Sequence, residues 1–310
     1  MKRILHFRSN GKLLLTGEYL VLRGAKALAV PLIKGQSIEI EEIENEGNPH
    51  IMWHAFAPDK LWFKTSFELP SLDIMATDDR KRSAKLQLIL LTLKQLNTSI
   101  FDGKITYKIK TQLEFEPEWG FGSSSTLIAN LTRWAKVDPY TLLNLSIGGS
   151  GYDIACATAT KPLFYQLKLM RPIVQFVEFK PPFADNLYLV YQGNKQDSGD
   201  SIVKFNQQTN KFSLEKEIAQ ISEISEQIAT TQTYSMFCDL MDEHEAILGN
   251  LLQTAPLKTK FPDFDGHIKS LGAWGGDFFL AISELPTEQI FAYFAGKGLQ
   301  TIFKYNELIY

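Results

Sequence analysis

Residues 117–126 read Pro-Glu-Trp-Gly-Phe-Gly-Ser-Ser-Ser-Thr and run straight into an apolar pattern at helical spacing. This stretch constrains the chain more than any other. Gly120 and Gly122 free the backbone for a tight turn and let its N–H groups approach a ligand. Ser123, Ser124, Ser125 and Thr126 then open a helix, whose first N–H groups lack intrahelical partners. Together with the helix dipole, those groups form a site for an anion, phosphate above all. A glycine turn followed by a serine N-cap explains the same residues equally well. The rest of the chain has to separate the two readings.

With 45% hydrophobic and 22% charged residues over 310 positions, the chain is of ordinary globular type, one large domain or two of usual size. A net charge of −3 carries no nucleic-acid or membrane footprint. A small anionic substrate would therefore need a local basic site. Cys156 and Cys238 lie far apart in apolar patterns, which indicates buried thiols in a reducing compartment. No apolar run near Met1 has the length of a signal segment, and none elsewhere reaches that of a membrane helix. The expectation is a cytoplasmic protein. His6, His50, His54, His244 and His267 show no metal-ligand spacing.

The pattern predicts α+β architecture with two lobes, 1–180 and 181–310, joined at Lys180-Pro181-Pro182-Phe183. Strands are expected at 4–8, 13–16, 27–31, 36–42, 51–56, 61–67 and 105–109, the fifth and sixth as a hairpin. Helices are expected at 78–96, 124–136, 139–145 and 152–158. Paired strands at 163–166 and 173–179 precede the proline pair. Beyond it, strands at 187–191, 278–282 and 299–304 alternate with helices at 198–205, 214–228, 234–252, 264–270 and 287–295.

Three further loops resemble the first in their small residues. One is Gly11-Lys12-Leu13-Leu14-Leu15-Thr16-Gly17-Glu18-Tyr19, with isolated charges beside glycines. Another is Gly149-Ser150-Gly151-Tyr152-Asp153-Ile154-Ala155, with a carboxylate where a helix begins. The last is Gly272-Ala273-Trp274-Gly275-Gly276-Asp277 before an apolar strand. Singly, these read as a charged strand end, a capping carboxylate and a tight turn. In this order, they resemble the motifs of the GHMP kinase superfamily, whose members include galactokinase, homoserine kinase, mevalonate kinase and phosphomevalonate kinase. Pro117–Ser125 is similar to that family's phosphate-binding motif, with Phe121 for leucine. Gly149–Asp153 matches G-S-G-x-D directly, and the last loop has Trp274 where the family keeps glycine. The G-Y-D-I-A string and Asp277 lean toward the mevalonate and phosphomevalonate branch, and toward a bacterial group marked by that string.

The resemblance implies an N-lobe like ribosomal protein S5 domain 2, a ferredoxin-like C-lobe, and ATP with Mg²⁺ between them. It implies that Gly120, Phe121, Gly122, Ser123, Ser124 and Ser125 hold the phosphates, with Ser124 as the hydroxyl on Mg²⁺ and Ser123 or Ser125 as alternatives. Asp153 would accept the acceptor's hydroxyl proton, and Lys12 would pair with it and steady the transferring phosphoryl group. Glu18, Ser150, Ser198, Ser201, Gly272, Ala273 and Gly275 fall on the substrate side. Lys195 and Lys204 are the basic groups near Ser198 and Ser201. Between Ser124 and Asp153 the one acid is Asp138, which also reads as a helix N-cap before Pro139. The expected partner is a small molecule, in a monomer or homodimer without nucleic acid or membrane. The function implied is ATP-dependent phosphoryl transfer to mevalonate or phosphomevalonate. The alternatives are a sugar or homoserine kinase, or a silent binding protein on the same fold.

Overall fold

The computed structural model describes residues 2–44, 47–194, 198–209, 213–274 and 276–310. They form two compact units, each assembled from separated stretches. Met1–Gly11, Lys34–Pro117 and Phe121–Thr158 make the first, and Lys12–Ile33, Glu118–Gly120 and Ala159–Tyr310 the second. The division at residue 180 follows neither unit. Phe179 and Phe183 flank the proline pair and are buried against Phe237, so this segment lies inside the second unit.

The first unit contains the N-terminal part of β1 (Lys2–Leu14), most of β2 (Ala27–Glu44), β3 (His50–Ala57), β4 (Lys60–Glu68), β5 (Ile74–Thr77) and β6 (Ile105–Leu113). Two expected breaks, at Asn10-Gly11 and at Lys34-Gly35, are absent, so two pairs of short expected strands are two long ones. β6 lies antiparallel to β2 and parallel to β3, and β3–β4 is the expected hairpin. α1 (Arg80–Leu96) is capped by Asp79, whose carboxylate accepts the Arg82 N–H at 2.9 Å. It buries Leu86, Ile89, Leu90 and Leu93, the i, i+3, i+4, i+7 face of an amphipathic helix.

α2 (Ser123–Ala135), α3 (Pro139–Ser146) and α4 (Tyr152–Ala157) complete this unit. Their apolar faces, through Ile128, Leu131, Leu142 and Ile154, join Ile40, Trp53 and Ile109 from the sheet in one core. Buried polar groups fix α2 against the strands. Asn130 donates to the Gln36 carbonyl at 2.9 Å and accepts from the Ser9 hydroxyl at 2.8 Å. Thr126 donates to the Gln36 side chain at 2.9 Å. Each such group is buried and would cost stability if left unmatched, so the helix start is held in position as well as in register.

The second unit contains the hairpin β7 (Leu163–Lys168) and β8 (Arg171–Phe176), with β7 antiparallel to Ala27–Ala29 of β2. It continues with β9 (Leu187–Tyr191), α5 (Ser198–Thr209), α6 (Glu215–Thr230), α7 (Tyr234–Leu252), β10 (His267–Ser270), β11 (Phe278–Ile282), α8 (Thr287–Gly296), β12 (Ile302–Lys304) and α9 (Tyr305–Leu308). The antiparallel order is β10-β11-β9-β12. Residues 264–270, expected as a helix, instead contain the strand β10, with Ser270 paired to Phe279. β5 and α9 were not expected. Phe261, Phe264, Ile268, Phe279, Ile290 and Phe294 center this unit's core.

Candidate functional site

At the start of α2 the backbone passes through two left-handed glycines, Gly120 at φ 68° and Gly122 at φ 93°. The Thr126 N–H closes the first helical bond on the Gly122 carbonyl at 2.9 Å, so the N–H groups of 123–125 precede the ladder. The side chains divide the serines. Ser125 is 1% exposed and turns back onto the Gly122 carbonyl at 2.9 Å, which removes it as a candidate metal hydroxyl. Ser123 and Ser124 are half-buried, and the Ser124 hydroxyl accepts from the Lys85 ammonium of α1 at 3.1 Å. Phe121 is fully buried, edge-on to Phe115, and brings only its backbone to this loop.

Lys12 is half-buried and donates from Nζ to the Gly120 carbonyl at 2.7 Å, which ties the first loop to the glycine-serine loop. On the other side of Gly120 stands Asp277. A Cβ at Gly120 would lie 2.4 Å from Asp277 Oδ2 and 2.6 Å from its Cγ. Asp277 is itself left-handed, at φ 52°, and 9% exposed. Its N–H donates to the Asn194 carbonyl at 2.7 Å, and its carbonyl accepts from Gln192 at 2.8 Å. Strained backbone of this kind persists only where the surroundings hold it.

The first loop rests on buried charge. A Cβ at Gly17 would lie 2.6 Å from that of Ala27, and its N–H donates to His244 Nε2 at 2.9 Å. That bond puts the imidazole proton on Nδ1. Glu18 was expected on the substrate side, orienting Lys12 or reaching Mg²⁺ through water. Instead it is 1% exposed and pairs at 2.5 Å with Lys269, itself fully buried. Burial pushes its carboxyl up to about 7, against the opposing pull of Lys269. Burial, with Lys269 second, holds His244 well below the usual imidazole range and therefore neutral. Glu245 completes the cluster, accepting the Ser270 N–H at 2.9 Å and the Ser270 hydroxyl at 2.8 Å.

In the third loop Gly149 at φ 127° and Gly151 at φ 87° bracket the half-buried Ser150. Asp153 lies in the first turn of α4, its Oδ1 accepting the Ile154 N–H at 3.0 Å. In the fourth loop Gly272 is left-handed at φ 66° and Ala273 is buried, while Gly275 lies outside the described residues. The Trp274 N–H donates to the Tyr19 hydroxyl at 3.0 Å, and a Cβ at Gly249 on α7 would lie 3.6 Å from the Trp274 ring. Trp274 therefore packs within its own unit. Ser201 is engaged with Tyr19 as well, hydrogen-bonding the phenol, whose ring stacks on Phe205 at 5.2 Å. Lys195 and the Ser198 side chain are outside the described residues; α5 begins at Ser198.

Among the described residues no group of three or more His, Cys, Asp or Glu could hold a metal ion. Asp138 is occupied as the cap of α3, accepting the Thr141 N–H and hydroxyl, each at 2.7 Å. Ser124 and Ser123 are left as the expected donors, with the Lys85 ammonium beside the Ser124 oxygen. This set fits a Mg²⁺ carried on nucleotide phosphates and water, which Mg²⁺ chemistry favors. Sequence reasoning missed Lys85, which is one of several basic residues on α1 and carries no distinguishing signal. It also missed the support given by Lys269, His244 and Glu245, and used Asp277 only as part of a motif.

No protein-family model matches the sequence, and no curated protein matches it. Solved structures do. L. major mevalonate kinase in complex with R-mevalonate superposes with a TM-score of 0.69 at 15% identity, over 98% of this chain and 95% of that one. Streptococcus pneumoniae phosphomevalonate kinase in complex with phosphomevalonate and AMPPNP gives 0.67 at 16%, over 97% and 99%. Lactococcus lactis galactokinase complexed with galactose gives 0.66 at 13%, over 97% and 92%. Near-complete coverage of both chains leaves no room for a partial match, and the chain has the α+β fold of the GHMP kinases.

Proposed function

We propose that the protein is an ATP-dependent kinase of small molecules, with mevalonate or phosphomevalonate as acceptor. The glycine-serine loop carries this reading. Its left-handed glycines, its helix start and the Ser124–Lys85 pair together make a cradle for phosphate oxygens. Two of the structural neighbors were solved with mevalonate or phosphomevalonate, one of them also with AMPPNP, which supports the choice of ligands.

In this reading the N–H groups of 123–125 bind the nucleotide phosphates, and Lys85 adds a positive charge beside Ser124. Mg²⁺ on those phosphates neutralizes their charge. Lys12, held at the Gly120 carbonyl, stabilizes the transferring phosphoryl group. Asp153 orients the acceptor hydroxyl and takes its proton, late in the transfer if the carboxylate is weakly basic. Ser150 is assigned to acceptor binding, as are Gly272 and Ala273.

The test is ADP release with Mg-ATP and mevalonate, phosphomevalonate, homoserine or galactose. Turnover with one of the first two is expected, and Asp153→Asn should lower kcat on the order of 10²-fold or more. Nucleotide binding without turnover on any acceptor would refute the kinase reading in favor of a silent binding protein. Near-normal turnover by Asp153→Asn would remove that residue from its role.

A further inference from the structure

The chain leaves the first loop through a backbone outlier at Tyr19. Its φ is 61° and its ψ −49°, and across it the Leu20 N–H donates to the Glu18 carbonyl at 2.6 Å. These angles and that bond make a γ-turn of the rare, strained hand. A residue as bulky as tyrosine adopts it only where its surroundings hold it there.

The side chain supplies that hold. Tyr19 is 8% exposed, and its ring stacks on the fully buried Phe205 of α5 at 5.2 Å. Its phenol oxygen accepts the Trp274 N–H at 3.0 Å and is hydrogen-bonded by Ser201 as well. Ser201 and Phe205 are four positions apart, on one face of α5. Three segments far apart in the chain thus meet on one side chain, all within the second unit. The 272–277 loop has separate anchors at its ends. The Leu271 N–H donates to the Phe278 carbonyl at 3.2 Å, and the Asp277 N–H to the Asn194 carbonyl at 2.7 Å. The Gly276 carbonyl accepts from the Gln192 side chain at 2.8 Å. Between these anchors, the backbone of Trp274 is fixed by the phenol.

We propose that Tyr19 is a positioning residue for the acceptor, whose phenol oxygen sets Trp274 and the first turns of α5 in one geometry. This rests on the kinase reading, in which Gly272, Ala273 and Ser201 lie on the acceptor side. Tyr19 acts through its partners: the phenol fixes the residue next to Ala273, and it engages the Ser201 hydroxyl. Ser201 therefore serves the acceptor by holding α5 in place. The strained turn persists because it carries the ring to these partners. Lys12 reaches the Gly120 carbonyl at 2.7 Å without the phenol, so nucleotide binding should be spared.

Tyr19→Phe keeps the ring and its stacking and removes the one oxygen. In ADP-release assays the KM for the acceptor should rise about 10-fold, the scale of one hydrogen bond, with kcat and the KM for ATP each within about 2-fold. Equal rises in both KM values, or a rise in neither, would overturn the assignment. Ser201→Ala separates positioning from contact. Its partner is already lost in Tyr19→Phe, so the double variant should match Tyr19→Phe alone. Additive losses would give Ser201 an acceptor contact of its own and overturn its assignment.

Hydrogen exchange on the chain without substrates reads the same coupling independently of catalysis. In Tyr19→Phe the amides of 271–274 and of 199–205 should both exchange about 10-fold faster or more, with an unchanged circular dichroism spectrum. Unchanged exchange in either segment would refute the shared anchor. A wild type that turns over no acceptor defeats the kinase reading, whereas turnover with no split between the two KM values in Tyr19→Phe defeats the role of Tyr19 alone.

Discussion

Gly120→Ala separates a glycine needed for its conformation from one needed for its lack of a side chain. At φ 68° an alanine is strained by about 1–2 kcal/mol whatever the space around it. Here there is no space. The new methyl would meet Asp277 Oδ2 at 2.4 Å; the Asp277 backbone is pinned through its N–H and carbonyl, so the overlap is relieved only by turning a side chain that is 9% exposed. Overpacking of this kind costs a further 1–3 kcal/mol, roughly. Gly148 supplies the control. Its φ is also 68°, but a Cβ there has nothing within 4 Å. Gly148→Ala should therefore show the conformational cost alone, and Gly120→Ala about 2–5 kcal/mol in total.

Urea unfolding of Gly120→Ala, Asp277→Ala and the double variant isolates the contact. The double variant should be more stable than the sum of the singles by about 1–3 kcal/mol, the coupling expected when a shared overlap is relieved. Function should fall further than stability. On the proposed kinase reading, a displacement of about 1 Å at the glycine-serine loop costs on the order of 10² in rate, so kcat/KM for ATP should drop by that order in Gly120→Ala. If the two alanine variants at 120 and 148 lose the same stability, or if the singles at 120 and 277 add, the contact with Asp277 has no energetic content. An unchanged kcat/KM for ATP would detach Gly120 from phosphate binding.

Lys269→Met should cost about 3–5 kcal/mol, since it leaves the Glu18 carboxylate buried beside no cation; adding Glu18→Gln should recover much of that, as urea midpoints would show. The same carboxyl gives a pH signature. Its folded value of about 7 lies above the unfolded 4.5, so its stabilizing contribution is complete below 4.5 and is lost as pH rises to about 7. Over that window the wild type should lose on the order of 2–3 kcal/mol relative to Glu18→Gln, and parallel stability curves for the two would refute the assignment. Lys85→Met, on an exposed helix face, should leave stability within about 0.5 kcal/mol yet raise the KM for ATP about 10-fold or more in ADP-release assays. An unchanged KM would remove Lys85 from the phosphate site.

What was legible in the sequence is what closes over a few residues. The cap at Asp138, the β3–β4 hairpin and the glycine-serine helix start each rest on bonds between near neighbors in the chain. The expected strands 27–31 and 36–42 stop on either side of Gly35, but a Cβ there would sit 2.1 Å from the Ser9 carbonyl, so the glycine permits a close crossing of β1 and the strand continues. Phe264, Ile268 and Leu271 mimic helical spacing, yet Ile268 and Lys269 are both fully enclosed in a short strand, where periodicity no longer distinguishes strand from helix. The Glu18–Lys269 pair spans 251 positions and leaves no local trace at either end. The loops that would bind substrate are thus readable one by one, whereas the groups that hold them still come from remote positions. Substitutions at Lys269 or Asp277 act on support rather than on ligand contact, so they should shift stability and kinetics together. Lys85 is the case that should separate them.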